Sequence, residues 1–303
     1  MPDPLPIIAR APVHLSLMPL ILLGGLNGCS SPDRTDGGPK GSDAAPSGPA
    51  AVTLTTTDYA FAFPDTLDPG WTRIHLVNHG DQPHMGQLIR LDAGRTAEDY
   101  LLAYGDAFRK KGPRPEWARR LGGPTVTAPD DSSNATVYLE PGQYIWTCLY
   151  NLPDGIPHVF GHGMAKPFVV DSSGEATAAG RTPPEADLVM RLVDYGFSLS
   201  IPLRSGRQVI RVENPGTEPH EVGVVRLAPG KSVADFLAWL RNPGAGPEPF
   251  EKVFGGVTSI APGVEAYFEV DLPPGEYLLL CFVTAPDGRS HIEHGMVQQI
   301  SVS

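Results

Sequence analysis

Two parts of the chain carry the same set of potential metal-binding side chains in the same order. A histidine follows a proline, a cysteine comes later within an apolar run, and a second histidine and a methionine follow that cysteine. Two imidazoles, one thiolate and a distant thioether are the donors of trigonal copper sites, because soft sulfur suits Cu(I) and imidazole tolerates both oxidation states. These side chains are His84, Cys148, His158 and Met164 in the first part, and His220, Cys281, His291 and Met296 in the second.

The two groups belong to an internal repeat. The sequence Asp-Tyr-Ala-Phe at Asp58 reappears as Asp-Tyr-Gly-Phe at Asp194, and Pro141-Gly142 reappears as Pro274-Gly275. Chance does not keep such a register over roughly a hundred residues, so the chain contains one unit written twice. We predict two domains, which cover residues 51–171 and 187–303, joined by a short linker at 172–186.

Composition and pattern predict the same fold for both units. The chain contains 34 Gly and 33 Pro among 303 residues, which favours turn-rich β structure. Short strands recur at regular spacing, and one capped helix interrupts each unit, at Thr96 and at Ser232. The sequence therefore predicts an all-β protein, made of two tandem Greek-key β-sandwich domains that each contain one short inserted helix.

The N-terminal segment has the features of an export signal. Residues 15–26 form an apolar run that is too short to span a bilayer as a helix but suits a signal peptide. The run ends before Cys29 and resembles the lipobox of bacterial lipoproteins, in which the cysteine is lipidated. We predict a lipoprotein signal peptide (1–28), lipidation of Cys29 and a flexible tether (29–50). The alternative is an ordinary cleaved signal peptide in which Cys29 is incidental.

This organisation predicts where the protein resides. An acyl anchor followed by a flexible tether would hold the folded domains outside the cytoplasm, on a bacterial membrane that faces the periplasm or the cell surface. A membrane contact through Cys29 is therefore one expected partner, and a redox or copper-transfer protein is another. Nucleic acid is not expected, because the net charge is −11 and no run of basic residues is present.

Both units resemble plastocyanin-like cupredoxins. The segment from Asn214 to Val222 resembles the family's first-ligand segment, and the order Pro-Gly-x-Tyr, Cys281, His291, Met296 resembles its final segment. The resemblance implies tandem cupredoxin-like domains with one or two copper ions per chain. It implies one ligand set of His220, Cys281, His291 and Met296, and a second set of His84, Cys148, His158 and Met164.

Three features depart from the family pattern. Nine residues separate cysteine from histidine in both units, more than in the family's small electron carriers. The first unit has one extra residue between His158 and Met164, so we expect the second unit to be the better copper site. His162 and His294 lie outside the pattern; each could replace a ligand, bind a second metal or be a polar loop residue.

Several functions follow from this set of residues. The first is copper binding for electron transfer or copper handling. The second is a metal-free binding or scaffolding module, because a cysteine in an apolar strand is often a core residue. The third is a copper enzyme with a site between the domains. We expect no enzyme, since the chain has no His-x-His pair and no histidine beside Cys148 or Cys281.

Overall fold

The computed structural model describes residues 49–171, 173, 179–243 and 246–303. The predicted signal peptide, Cys29 and nearly all of the predicted tether lie outside these residues. Within them, no helix is long and apolar enough to cross a membrane. Strands account for most of the regular structure, which confirms the all-β prediction.

The first domain combines strands with one long helix and one helical turn. Its elements are β1 (Ala50–Thr57), β2 (Ala60–Ala62), β3 (Thr66–Leu67), β4 (Gly70–Asn78), β5 (Gln87–Leu91), α1 (Ala97–Lys110), β6 (Ala118–Gly122), β7 (Ser132–Leu139), β8 (Gly142–Thr147), α2 (His158–Gly161) and β9 (Ala165–Val170). 

The second domain follows a single 3-10 turn at Ala179–Arg181 and repeats most of this order. Its elements are β10 (Leu188–Val193), β11 (Gly196–Leu199), β12 (Gly206–Glu213), β13 (His220–Leu227), α3 (Val233–Arg241), β14 (Phe250–Ile260), β15 (Glu265–Leu272), β16 (Gly275–Leu280) and β17 (Val297–Val302). 

Both sheets of the sandwich run through both domains. One sheet has the order β11-β10-β12-β15-β7-β4-β1-β2, and the other has the order β17-β16-β13-β14-β6-β5-β8-β9-β3. In each domain the first strand pairs in parallel with a later strand of the same sheet, β1 with β4 and β10 with β12, while most other pairs are antiparallel. The strand order confirms two tandem Greek-key sandwich domains.

The domains join through equivalent strands. Strand β7 meets β15, with Thr136 opposite Tyr267, and the Asn134 side chain exchanges hydrogen bonds with the Glu269 backbone at 3.0 and 2.8 Å. Strand β6 meets β14, with Leu121 opposite Ile260. The central edges of the two repeats therefore face each other and pair at these positions.

The inserted helices begin where the sequence predicts. The side chains of Thr96 and Ser232 accept hydrogen bonds from the backbone amides of Asp99 and Asp235. The carboxylates of these aspartates in turn accept hydrogen bonds from the backbone amides of Thr96 and Ser232, so each helix starts with a capping box. Helix α1 is longer than expected and ends at Lys110. Both helices bury aromatic side chains against the second sheet.

Strands β8 and β16 position the two cysteines. The four residues Tyr144–Thr147 and the four residues Tyr277–Leu280 are all buried, and Cys148 and Cys281 follow them directly. Both cysteines are fully buried and free. Each therefore lies at the end of an interior strand, where the loop that follows can return its histidine to the sulfur.

Candidate metal centres

The first domain brings His84, Cys148 and His158 together. His84 follows the turn after β4, Cys148 follows β8, and His158 begins α2. The Cys148 sulfur lies 3.7 Å from Nδ1 of His84 and 3.6 Å from Nδ1 of His158, and the two nitrogens are 3.2 Å apart. All three residues are buried, so the structure places three donor atoms around one point within the protein.

The second domain repeats this arrangement with His220, Cys281 and His291. The Cys281 sulfur lies 3.4 Å from Nδ1 of His291, and the Nδ1 atoms of His220 and His291 are 2.9 Å apart. The three donor atoms all lie within 4.8 Å of one another. The two triads therefore have the same donors and the same burial.

The triads have the dimensions of a metal site. An ion held at about 2.0 Å from nitrogen and about 2.3 Å from sulfur separates its donors by roughly 3.2 to 3.8 Å. The three distances in the first domain lie in this range. In the second domain the sulfur–nitrogen distance of 3.4 Å also lies in it, whereas the nitrogen–nitrogen distance of 2.9 Å is slightly shorter. Two imidazoles and one thiolate in trigonal arrangement are the donors that suit copper. The donor set therefore fits copper in both domains.

Carboxylates orient the first histidine of each triad. Nε2 of His84 donates to Asp58 at 2.6 Å, and Nε2 of His220 donates to Asp194 at 2.5 Å. Because the proton is held on Nε2, the lone pair of Nδ1 faces the cysteine. Such outer hydrogen bonds fix the tautomer and ring orientation of metal-binding histidines.

The Asp194 carboxylate is itself held in place. Burial alone would raise the pKa of Asp194, but hydrogen bonds from Thr217 and His220 outweigh burial and keep the pKa well below its usual range. In the first domain the backbone amides of Asp81 and Gln82 donate hydrogen bonds to the Asp58 carboxylate. Each carboxylate thus ties the turn before the first histidine to the histidine itself.

Among the described residues, carboxylates hold both triad histidines in the second domain but only His84 in the first. Nε2 of His291 donates to Glu218 at 3.0 Å, and the Tyr195 hydroxyl donates to the other oxygen of Glu218 at 2.8 Å. In this domain both Nε2 atoms are donors, so two Nδ1 lone pairs face each other at 2.9 Å. Two facing acceptors repel unless a cation lies between them, which is a second sign that the cavity is built for a metal.

The backbone of each methionine is hydrogen-bonded to the second histidine of its triad. The backbone amides of Met164 and Met296 donate to the carbonyls of His158 and His291 at 3.2 and 2.9 Å, and both side chains are fully buried. The extra residue of the first domain is accommodated by α2, a four-residue helical turn that begins at His158. The role of the two methionines as weak ligands stays a prediction.

His162 and His294 lie outside the triads. The ring of His162 stacks on Tyr59 with centroids 3.7 Å apart, and the ring of His294 stacks on Tyr195 at 4.6 Å. The same tyrosine also meets a triad histidine edge to face, as Tyr59 does with His158 at 4.8 Å, and the rings of His158 and His162 are 6.5 Å apart. Each outer histidine therefore packs on a tyrosine beside its triad and is not one of the three clustered donors.

The protonation of the triads is set by burial. Burial raises the pKa of the Cys148 thiol to about 12 and raises that of Cys281 further. Burial, followed by the neighbouring His84, lowers the pKa of His158 to about 4. Without a cation the first site thus favours a neutral Cys148 thiol and a neutral His158, and metal binding must release the thiol proton.

Sequence analysis named every triad residue but missed the groups around them. Asp58 and Asp194 were seen only as part of the repeat, and Glu218 was seen only as part of the first-ligand segment. The signal was present, since an aspartate and a tyrosine recur at the same position of both units. The repeat alone does not predict that each aspartate accepts a hydrogen bond from the triad histidine 26 residues later in the chain.

No family model and no curated protein matches this sequence. Among solved structures, a reduced auracyanin from Roseiflexus castenholzii aligns with 41% of this chain and 98% of its own, at 17% identity and a TM-score of 0.28. A blue copper oxidase from Nitrosomonas europaea aligns with 84% of this chain and 85% of its own, at 14% identity and a TM-score of 0.24. A copper-containing nitrite reductase from Thermus scotoductus aligns with 84% of this chain and 62% of its own, at 14% identity and a TM-score of 0.22.

These similarities correct one prediction. The expectation that the chain is not an enzyme is wrong, because the structures that align with both domains include an oxidase and a nitrite reductase. That expectation relied on missing sequence motifs, whereas a fold can assemble ligands from separate strands. The geometry of the two triads stands independently of these similarities.

Proposed function

We propose that this protein binds one copper ion in each cupredoxin-like domain and transfers single electrons. His84, Cys148 and His158 would hold the first ion, and His220, Cys281 and His291 the second, with Met164 and Met296 as weak axial ligands. When bound, copper supplies a one-electron redox couple. The observation that carries the proposal is the pair of buried His-Cys-His triads, repeated with the same donor atoms facing inwards.

The protein's own residues would make such a site suitable for electron transfer. Buried imidazoles, a buried thiol and the half-buried Tyr59 and Tyr195 beside them would limit the access of water to the ion. Asp58, Asp194 and Glu218 hold the imidazole rings in one orientation, so the ligands need little rearrangement. We rank the second domain first, because both of its histidines are anchored by carboxylates.

The proposal includes an anchor outside the cytoplasm. The short apolar run before Cys29 and the polar tether after it support a lipid-anchored protein on a bacterial membrane. The tether would let the domains reach a redox or copper-transfer partner at the same surface. Palmitate labelling of the expressed full chain, compared with a Cys29→Ser variant, tests the anchor separately from the copper sites.

The copper proposal is tested on residues 30–303, reduced and then titrated with Cu(II). Bound copper and the visible spectrum are measured beside Cys148→Ser, Cys281→Ser and the double variant. We expect two copper ions, an intense thiolate-to-copper band, loss of one ion's band in each single variant and loss of the whole band in the double variant. A folded protein that binds no copper would overturn the proposal and favour a metal-free binding module.

A further inference from the structure

A cleft of about 650 Å³ lies between the two domains. Its walls come from α1 and β6 of the first domain and from β13 and α3 of the second. Leu280 and Phe282, which flank Cys281 in the sequence, also line it, but no triad residue does. The volume is within the range of small-molecule sites, about 300 to 1,000 Å³. The cleft is therefore a second candidate site, distinct from both triads.

Positive charge predominates on the walls of the cleft. In the part of the chain that the structure describes, three guanidinium groups and two carboxylates line it, and they belong to Arg114, Arg120, Arg289, Glu221 and Glu293. Two of them lie on inner strands of different domains that flank β14, Arg120 on β6 and Glu221 on β13. Arg289 donates to the Glu293 carbonyl at 2.8 Å, and the Glu293 carboxylate accepts from Ser290.

Arg120 retains hydrogen-bonding capacity. One of its terminal nitrogens donates to the Ser259 hydroxyl at 3.0 Å, while Glu221 accepts from the Phe282 amide at 2.9 Å. Among the described contacts, no ion pair joins Arg120 to Glu221. Burial lowers the pKa of Arg120 to about 10, so the group still carries its charge at neutral pH. A guanidinium with free N–H groups in a cleft suits a carboxylate, which it can bind in bidentate fashion.

Aromatic rings form much of the remaining wall. They come from both domains and belong to Tyr104, Phe108, Tyr150, Phe236, Phe250 and Phe282. Phe108 and Phe282 are exposed by 40 and 42%, although large apolar side chains are mostly buried elsewhere in the described chain. An inorganic anion would fill little of this volume and cover none of these rings. The walls instead suit a planar organic group.

A buried acceptor in the same wall has no partner. Gln87 is 1% exposed, and its Nε2 donates to the carbonyls of Gly122 and Ser259 at 3.3 and 2.9 Å. Its Oε1 is buried without a hydrogen bond. Such an atom costs free energy unless a donor reaches it, so a ligand with a hydroxyl group would satisfy it.

We propose that this cleft binds a small hydroxylated aromatic carboxylate. The carboxylate pairs with Arg120, with Arg114 adding to the positive field, and the ring lies among the aromatic side chains of both domains. The hydroxyl group supplies a donor to Oε1 of Gln87. Glu221 repels the anion and so limits its affinity. The site needs no copper, so its failure is distinguishable from failure of the copper proposal.

The proposal is tested by calorimetric titration of residues 30–303 with 4-hydroxybenzoate, with and without added copper. We expect a dissociation constant of about 1 mM or below. Sulfate supplies charge without a ring, and 4-hydroxybenzyl alcohol supplies the ring without charge. Each should bind at least about tenfold more weakly than 4-hydroxybenzoate, because sulfate lacks the ring contacts and the alcohol lacks the charge-assisted hydrogen bond. Equal binding of either compound, or no binding of 4-hydroxybenzoate, would overturn the proposal.

Variants locate the binding in the cleft. Arg120→Gln should weaken binding at least about tenfold, whereas Arg119→Gln, an exposed neighbour on the same strand, should leave it unchanged. If Arg120→Gln does not fold, Arg114→Gln replaces it as the test variant, because Arg114 lies outside the strands. Glu221→Gln should strengthen binding several-fold, because it removes the opposing charge. Weaker binding in Glu221→Gln, or equal losses in Arg119→Gln and Arg120→Gln, would contradict the assignment.

Discussion

Glu218 accepts a hydrogen bond from Nε2 of His291 at 3.0 Å, and this contact distinguishes the two metal centres. The equivalent residue of the first domain is Gln82, whose hydrogen bonds among those described are made by its backbone. Because a carboxylate on the outer nitrogen makes an imidazole more basic, the second triad should stabilise Cu(II) more strongly. The two copper sites are thus expected to have different reduction potentials.

Exchanging these two residues should exchange the potentials. We expect Glu218→Gln to raise the potential of the second site and Gln82→Glu to lower that of the first, each by on the order of 60 mV, a tenfold change in a one-electron equilibrium. Each site is measured alone by spectroelectrochemistry, in a background where the other cysteine is serine. Unchanged potentials, or shifts of the opposite sign, would show that Glu218 has no electronic role.

The aspartates behind the first histidines should control copper affinity. Asp194→Asn and Asp58→Asn each replace a carboxylate that accepts from a triad histidine, so copper affinity should fall about 10- to 100-fold. Competition with a chelator of known affinity measures this fall. Asp287→Asn is the matched control, because Asp287 contacts His294, which lies outside the triad. A comparable loss in the control would indicate a general loosening of the loops.

The stacked histidines should not be copper ligands. His162→Ala and His294→Ala should keep the copper content and the thiolate band, because each of these histidines stacks on a tyrosine and is not one of the three clustered donors. Loss of the stack should reduce the free energy of unfolding by about 1 kcal/mol. His158→Ala and His291→Ala, by contrast, should lose the band of their own site. Loss of copper from His162→Ala would make this histidine a ligand after all.

The close backbone contact between Gly86, just before β5, and Gly123, just after β6, should not tolerate a side chain at Gly123. This glycine has φ +126°, and a Cβ atom there would overlap the Gly86 carbonyl oxygen. Gly123→Ala should therefore lower the free energy of unfolding by about 3 kcal/mol or more in a urea titration. Gly112→Ala is the control, since nothing lies within 4 Å of its Cβ position, and it should change stability by about 0.5 kcal/mol at most.

Much of the architecture could be predicted because the chain repeats itself. The recurrence of Asp58-Tyr59 at Asp194-Tyr195 and of the turns before β8 and β16 predicted the duplication, and local patterns predicted the strands and the capped helices. The order of histidine, cysteine and histidine also predicted both triads. These features depend on residue type and on spacing along the chain, which a sequence shows directly.

The tertiary structure decided what depends on contacts between distant segments. Pairing of β7 with β15 and of β6 with β14 makes the sheets continuous, and this pairing creates the cleft lined by Arg120 and Glu221. The hydrogen bonds of Asp194 and Glu218 to the triad also join residues from separate strands and turns. The sequence by itself determined the duplicated fold and the donors, because these follow from local order. Only the three-dimensional packing determined which carboxylates hold those donors and what lies between the domains.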